Sequence, residues 1–252
     1  MIPIDISGKI ALVTGGASQL GHEMVRTLAR AGADVAIHYH SNKAGAESLV
    51  PEIEALGVRA IAVQADVKEK DSVVRMQKEI VAALGAPDII VTNAVSQYEW
   101  TTVLEQAPED YEDQFRSSVL QNVHMTQAFV PAMIKKGWGR VLGINTECSM
   151  QCKQAQSAYV SGKKGMDGVL RVLAEEIGGH GITVNQIAPG WILTENYPDS
   201  LKTKQYRNDV PLRRRGTPQE IANVVTFVAS DLASFISGVY IPVCGGNVMP
   251  GI

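Results

Sequence analysis

The chain has 252 residues, 45% of them hydrophobic and 19% charged, with a formal net charge of −3. That is the composition of an ordinary globular protein, and the slight acidity gives no electrostatic reason to expect nucleic acid or an anionic membrane as partner. No uninterrupted apolar run reaches the roughly 18 residues a bilayer crossing needs, and Cys148 and Cys152 lack a nearby histidine to complete a zinc set, so no metal is expected. In chain order, Lys9-Ile-Ala-Leu-Val13 opens a short buried strand over 10–14, and Thr14-Gly-Gly-Ala-Ser-Gln-Leu-Gly21 follows directly. Met24, Val25, Leu28 and Ala29 then fall at helical spacing over 20–31, before Gly32. Strand, glycine loop and helix is the context of a dinucleotide site. Glycine permits close backbone approach, and the free N–H groups of a helix start suit a pyrophosphate. An ordinary βα turn would read the same at this point.

Further strands are expected at 34–39, 60–64, 88–92, 139–145, 183–187 and 239–243, alternating with helices over about 43–56, 69–84, 108–136, 157–178 and 217–230. Gly57, Gly85 and Gly137 follow their helices as left-handed stops. Thr217-Pro-Gln-Glu220 is a capping box with proline at the first helical position. No repeat, low-complexity tract or linker interrupts the alternation, which implies a parallel sheet with helices on both faces and right-handed crossovers. The segment 191–215 lacks clear periodicity and is predicted to be a mobile lid on a single domain spanning 1–252. The start, Met1-Ile-Pro-Ile-Asp5, has no basic region followed by an apolar stretch, so a cytoplasmic protein with reduced thiols is expected.

On the helix over 157–178, Tyr159 and Lys163 stand four apart and share a face. A free phenol ionises near pH ~10, and a neighbouring cation favours the phenolate, which would make an acid/base group. A snorkelling lysine on an amphipathic helix gives the same spacing. Taken with the glycine loop, the pair resembles the short-chain dehydrogenase/reductase family over essentially the whole chain. Thr14, Gly15 and Gly21 match the family's T-G-x-x-x-G-x-G loop, and Asn93-Ala94 matches its N-A-G. Pro189-Gly190 matches its P-G, and Val243-Cys-Gly-Gly246 its late V-D-G-G. Departures are Gln19 for the middle loop glycine, Val95 in N-A-G, Thr146 at the catalytic serine, Ser118 at the relay asparagine, and Cys244 for the late aspartate.

The resemblance implies a doubly wound α/β sheet of Rossmann type, with strand order 3-2-1-4-5-6-7 and ligands beyond the carboxyl ends of the strands. It implies hydride transfer between nicotinamide C4 and a carbonyl carbon. Tyr159 would be the acid/base, Thr146 the donor to the carbonyl, Lys163 the group that lowers the tyrosine pKa and bonds the nicotinamide ribose, and Ser118 the anchor of a relay water. Gly15, Ser18, Gln19, Leu20 and Gly21 would lie under the pyrophosphate. Asp66 and Val67 would meet the adenine, unless Asp66 caps a helix, and Asn93 would lie beside the adenosine ribose. Pro189, Gly190, Ile192 and Thr194 would hold the nicotinamide. Strand two ends without an acid, and Tyr39, Ser41 and Asn42, with Lys43, could take a 2′-phosphate, so NADP is favoured over NAD.

Substrate contacts are expected from Gln97, Tyr98 and Trp100, from Glu147 and Cys148, and from Trp191 to Tyr197, which suits a small ketone or secondary alcohol. An acyl-carrier-protein thioester is the alternative. The arginines used by such relatives correspond here to Gly137 and His180, while Lys135, Lys136 and Arg213-Arg-Arg215 read as solvated charge. A weakly catalytic dinucleotide-binding sensor is the remaining reading. Relatives associate through the two long helices and the last strand, so Val119, Val123, Phe129, Met166, Val169 and Leu173 could line a homotetramer contact, or a dimer's; core packing would look the same.

Overall fold

The computed structural model describes residues 3–195 and 198–250. Ile10-Ala-Leu-Val13 and Ile89-Ile-Val-Thr92 are short apolar runs rich in β-branched residues, which suit strands buried on both faces. They form β1 (Ile10–Val13) and β4 (Ile89–Thr92) at the centre of a seven-stranded sheet. The others are β2 (Asp34–Tyr39), β3 (Ala60–Gln64), β5 (Gly139–Ile144), β6 (Ile182–Pro189) and β7 (Tyr240–Val243). Every pairing is parallel, in the order β3-β2-β1-β4-β5-β6-β7. Val13 therefore ends opposite Ile37 on one side and Val91 on the other, which brings three strand tips to one edge.

Alternation along the strands divides the core into two layers. Ala11, Val13, Val35 and Ile37 face the layer with Met24, Leu28, Leu49 and Val225. Those side chains come from α1 (Gln19–Arg30), α2 (Lys43–Glu54) and α9 (Pro218–Ala229). Ile10, Leu12 and Ala36 face the opposite layer with Met76, Phe129, Met133, Met166 and Leu170. That side is covered by α3 (Lys70–Ala83), α5 (Gln121–Lys136) and α7 (Ser157–Ile177), with α4 (Pro108–Phe115) before α5. Phe129, Met166 and Leu173 are thus core residues rather than a surface for a partner, and Val119 is buried as well. Glycine 137 closes α5 in the left-handed region at φ 67°, and the capping box at Thr217 is formed.

Two segments differ from expectation. The helix over 108–136 is interrupted by a π turn, Arg116–Leu120. There Gln121 Nε2 donates to Ser117 O at 2.5 Å and Asn122 Nδ2 to Ser118 O at 2.7 Å, so side chains compete for carbonyls of the turn before. The segment 191–215 contains α8 (Leu201–Asp209), capped by a reciprocal Ser200–Thr203 box. Its sequence is polar and buries only Thr203 fully, so no apolar period marks it. A one-turn helix, α6 (Cys148–Gln151), was also not expected. No described helix is long and apolar enough to cross a membrane.

Candidate active site

Asn145 and Thr146 follow β5 at the carboxyl edge of the sheet. Asn145 is buried and its amide serves as a hub. Its Oδ1 accepts from Thr146 N at 2.9 Å, Ser149 Oγ at 3.0 Å and Tyr240 OH at 3.1 Å. Its Nδ2 donates to Gln186 Oε1 at 2.8 Å and Lys163 O at 3.0 Å. A buried amide with both ends satisfied rigidifies what it touches, and here it fixes Thr146 against the turn of α7 that bears Lys163. The Lys163 ammonium is enclosed, and its Nζ donates to Ile144 O at 2.6 Å. Burial pushes Lys163 down to about 8.

Tyr159 lies one turn earlier, with its ring centroid 5.8 Å from Lys163 Nζ. Burial raises the pKa of this phenol, the Cys148 thiol adds to the rise, and a hydrogen bond with Thr146 opposes it. The expected electrostatics are thereby corrected. Lys163 shares its ammonium with a backbone carbonyl, and burial is the largest influence on Tyr159. A protonated phenol is the form that donates to a carbonyl oxygen. Ser118 sits in the π turn, buried, with no hydrogen-bond partner for its Oγ among the described residues.

The crevice beside this group is built by the tips of β1, β2 and β4. Thr14 Oγ1 accepts from Asn93 N at 2.9 Å and Ala94 N at 3.0 Å and donates to Gln121 Oε1 at 2.7 Å. Asn93 Nδ2 donates to Thr14 O at 3.0 Å, so its side chain braces the glycine loop rather than standing free for a ribose. A Cβ on Gly21 would meet Gly15 O at 2.1 Å, which fixes glycine where α1 closes on the loop. His38 was not anticipated. Gly15 N donates to its Nδ1 at 2.9 Å, and its Nε2 donates to Ala65 O at 3.1 Å, while burial pushes it down to about 4 and keeps it neutral.

The chain's residues 15–247 match the family model described as enoyl-(acyl carrier protein) reductase. It is 34% identical to the 3-oxoacyl-(acyl-carrier-protein) reductase FabG of Staphylococcus epidermidis, over 96% of this chain and 99% of that one. The L-rhamnose 1-dehydrogenase (NAD(P)(+)) of a Sphingomonas species is 32% identical, over 96% of each chain. Among solved structures, a blue fluorescent protein from a metagenomic library, in complex with NADPH, superposes with a TM-score of 0.91 at 32% identity, over 97% of this chain and 100% of that one. The chain belongs to the short-chain dehydrogenase/reductase family. It is an NAD(P)-dependent oxidoreductase acting between CH–OH and C=O groups.

The crevice of this short-chain dehydrogenase/reductase fits a dinucleotide on its own observations. Gly21 packs on the Gly15 carbonyl so closely that the loop turns without a Cβ there, and Thr194 Oγ1, two residues from Ile192, is buried with no hydrogen-bond partner among the described residues. Ser18 is exposed and donates from Oγ to Gly15 O at 2.6 Å, and Gln19 and Leu20 begin α1. Glu69 is the cap of α3, so Asp66 is not; Asp66 Oδ1 accepts from Lys68 N at 2.9 Å, and Val67 is buried. Tyr39 lies in the core layer under α1 and α2, which corrects its expected place at a 2′-phosphate. Asn42 is committed as the cap of α2 and donates to Ala17 O at 2.9 Å, which leaves Ser41 and Lys43 exposed at the end of β2.

The substrate side divides into two clusters. Tyr98, Trp100 and Tyr159 form one, with Trp100 stacked on Tyr159 at 5.6 Å between centroids. Glu147, Trp191 and two residues missed from sequence, Tyr206 and Asn247, form the other. Glu147 is 3% exposed, and its carboxylate, raised by burial, is held by Asn247 Nδ2 at 3.0 Å and by Tyr206. The Tyr206 hydroxyl also accepts from Trp191 N at 2.8 Å. Cys148 N donates to Thr146 Oγ1 at 3.2 Å, Gln97 is exposed, and Tyr197 lies outside the described residues. Arg215 corrects the solvated reading of the arginine run. Its side chain is buried, with Nε donating to Trp191 O at 3.2 Å and Nη2 to Ile192 O at 2.5 Å. No local sequence signal separates Arg215 from its neighbours, whereas the Ser200–Thr203 box could have located Tyr206 on a helix.

Proposed function

We propose that this enzyme interconverts a small polar ketone and its secondary alcohol with NADP preferred over NAD. The observation that carries the reading is the half-buried Tyr159 phenol beside the Thr146 hydroxyl, where the sheet's carboxyl edge meets the glycine crevice. When bound, the nicotinamide supplies or accepts a hydride at C4. Thr146 donates a hydrogen bond that orients the carbonyl oxygen, and Tyr159 delivers its proton to that oxygen as negative charge develops, or removes it in oxidation. Lys163 holds the nicotinamide ribose and restores the phenol's proton through the polar groups near Ser118. Gly15, Ser18, Gln19, Leu20 and Gly21 cradle the pyrophosphate on the start of α1. Asp66, Val67 and Asn93 flank the adenosine, and Pro189, Gly190, Ile192 and Thr194 hold the carboxamide end. Gln97, Tyr98, Trp100, Glu147, Cys148 and Trp191 line the substrate pocket, and 191–215 acts as its lid.

The cofactor preference is supported by the absence of any acid from Ile37 to Lys43 and by exposed Ser41 and Lys43. A second reading, reduction of a 3-oxoacyl thioester, is favoured by the relative at 34% identity that carries that name. Against it, Arg215 is buried and the half-exposed Lys136 is paired with Asp88 at 2.5 Å, which leaves two fewer unpaired cations to dock an acidic carrier. A cytoplasmic homotetramer fits the family, and a cleft of about 480 Å³ lined by Tyr111, Phe115, Leu120 and Gly162 offers an apolar face at α4 and α7. A panel of ketones, sugar lactones and 3-oxoacyl thioesters, run in both directions with all four cofactor forms, tests the proposal. Faster turnover with NADPH and a small ketone is expected. Preference for NADH or for the thioester would overturn the corresponding half, and tight cofactor binding without turnover would favour a sensor.

A further inference from the structure

The first turn of α7 carries Tyr159, and its support comes from far away in sequence. A helix start leaves four backbone N–H groups in need of partners. Gln156, the cap residue, makes no side-chain bond to them, and no acidic side chain stands in the first turn. The N–H of Tyr159 itself donates to the phenol oxygen of Tyr98 at 2.8 Å, across 61 residues of chain. Two residues beyond Tyr98, Trp100 lays its indole on the Tyr159 ring, with centroids 5.6 Å and planes 29° apart. The segment bearing both is itself held. Gln106 Nε2 donates to Glu99 O at 3.1 Å, Thr101 N to Gln106 Oε1 at 3.0 Å, and Gln114 Nε2 to Ser96 O at 2.9 Å.

We propose that Tyr98 and Trp100 together clamp the catalytic tyrosine, Tyr98 through its main chain and Trp100 through its ring. Both are positioning residues in this role, beyond the substrate contact their place in the sequence suggested. The proposal rests on Tyr159 being the acid/base. Tyr98 fixes the axial height of the first helical turn, so the phenol cannot slide relative to Thr146. Trp100 covers the ring face and excludes water from it.

The covering has an electrostatic consequence. Burial is the main cause that raises Tyr159, so admitting water lowers its pKa toward the ordinary phenol range near ~10. Other titratable groups facing it are Cys148 on α6, Tyr240 on β7 and Tyr98, which all push upward. Lys163, on its own helix, has Nζ 5.8 Å from the ring centroid. Trp100 is 45% exposed, so its removal brings solvent to the ring it stacks on.

The test uses full-length protein labelled with 15N and with 13C at the tyrosine ζ carbon. The Tyr159 carbon signal is identified by its loss in Tyr159→Phe, and its amide by sequential assignment. Wild type should keep this phenol protonated up to the highest pH at which the sheet amides remain folded. Trp100→Ala should ionise it at least about one pH unit below that limit, and Trp100→Phe, which keeps a stacked ring, should restore most of the difference. Tyr98→Phe should speed exchange of the Tyr159 amide roughly fivefold or more while amides of β4 and β5 stay protected. A Tyr159 titration in Trp100→Ala equal to wild type, or wild-type exchange in Tyr98→Phe, overturns the clamp. Neither readout depends on turnover. Failure of the oxidoreductase assignment would show separately, as wild-type protein that transfers no hydride to any carbonyl offered.

Discussion

The cofactor crevice and the substrate pocket share one sheet edge but are built by different means. The crevice is made of backbone. Its polar side chains, Thr14, His38, Asn42 and Asn93, are spent on bracing the glycine loop. The pocket is made of large side chains from four separate segments: aromatic groups on one wall, and on the other a buried carboxylate that gathers Tyr206 and Asn247. A backbone cradle suits a ligand whose phosphates never change, while side-chain walls can be exchanged without disturbing the sheet. Tyr159 and Lys163 stand at the junction and answer to both.

Breaking the junction should have the largest effect. Tyr159→Phe is expected to lower turnover about 10³-fold, within the range for losing a general acid, while NADPH binding read by fluorescence stays near wild type. On the crevice side, Ser41→Asp places a carboxylate at the end of β2. It should weaken NADPH relative to NADH by about tenfold or more, measured as a ratio of kcat/KM values. On the pocket side, Glu147→Ala leaves Tyr206 and Asn247 without their shared partner. It should raise the substrate KM several-fold, leave the cofactor dissociation constant unchanged and cost about 1–3 kcal/mol of stability.

The smallest effect concerns His38. Its folded-state pKa of about 4 lies below the ordinary 6.5, so the unfolded chain binds the proton first as pH falls. Its contribution to stability is complete above pH ~6.5 and drains between there and pH ~4, at up to about 1.4 kcal/mol per unit. Melting temperatures measured from pH 7 to pH 5 should decline in wild type, and less steeply in His38→Asn.

This division also explains what could be read from the chain alone. The glycine loop and the Tyr159–Lys163 pair were legible because each lies within one βα unit or one helical turn, where spacing fixes geometry, while the strand order came through the family resemblance. Thr146 was placed through the resemblance alone, at the position of the family's catalytic serine. What could not be read depends on contacts between distant segments. His38 looks like any strand residue until Gly15 and Ala65 are brought to its two nitrogens. Arg215 is one of three arginines in a row, and only the fold buries it against the carbonyls of Trp191 and Ile192. Lys163 was expected to acidify the phenol, since spacing reports neighbours but not burial, and burial dominates at both groups.

The most direct test of the account follows an isotope. NADPH carrying deuterium on either face of C4 is incubated with the best ketone from the panel, and the alcohol is analysed by mass spectrometry for wild type and Tyr159→Phe. One deuterium on the carbinol carbon, from a single face, is expected with wild type and almost none with the variant. Deuterium released to solvent, or equal incorporation by Tyr159→Phe, would contradict it.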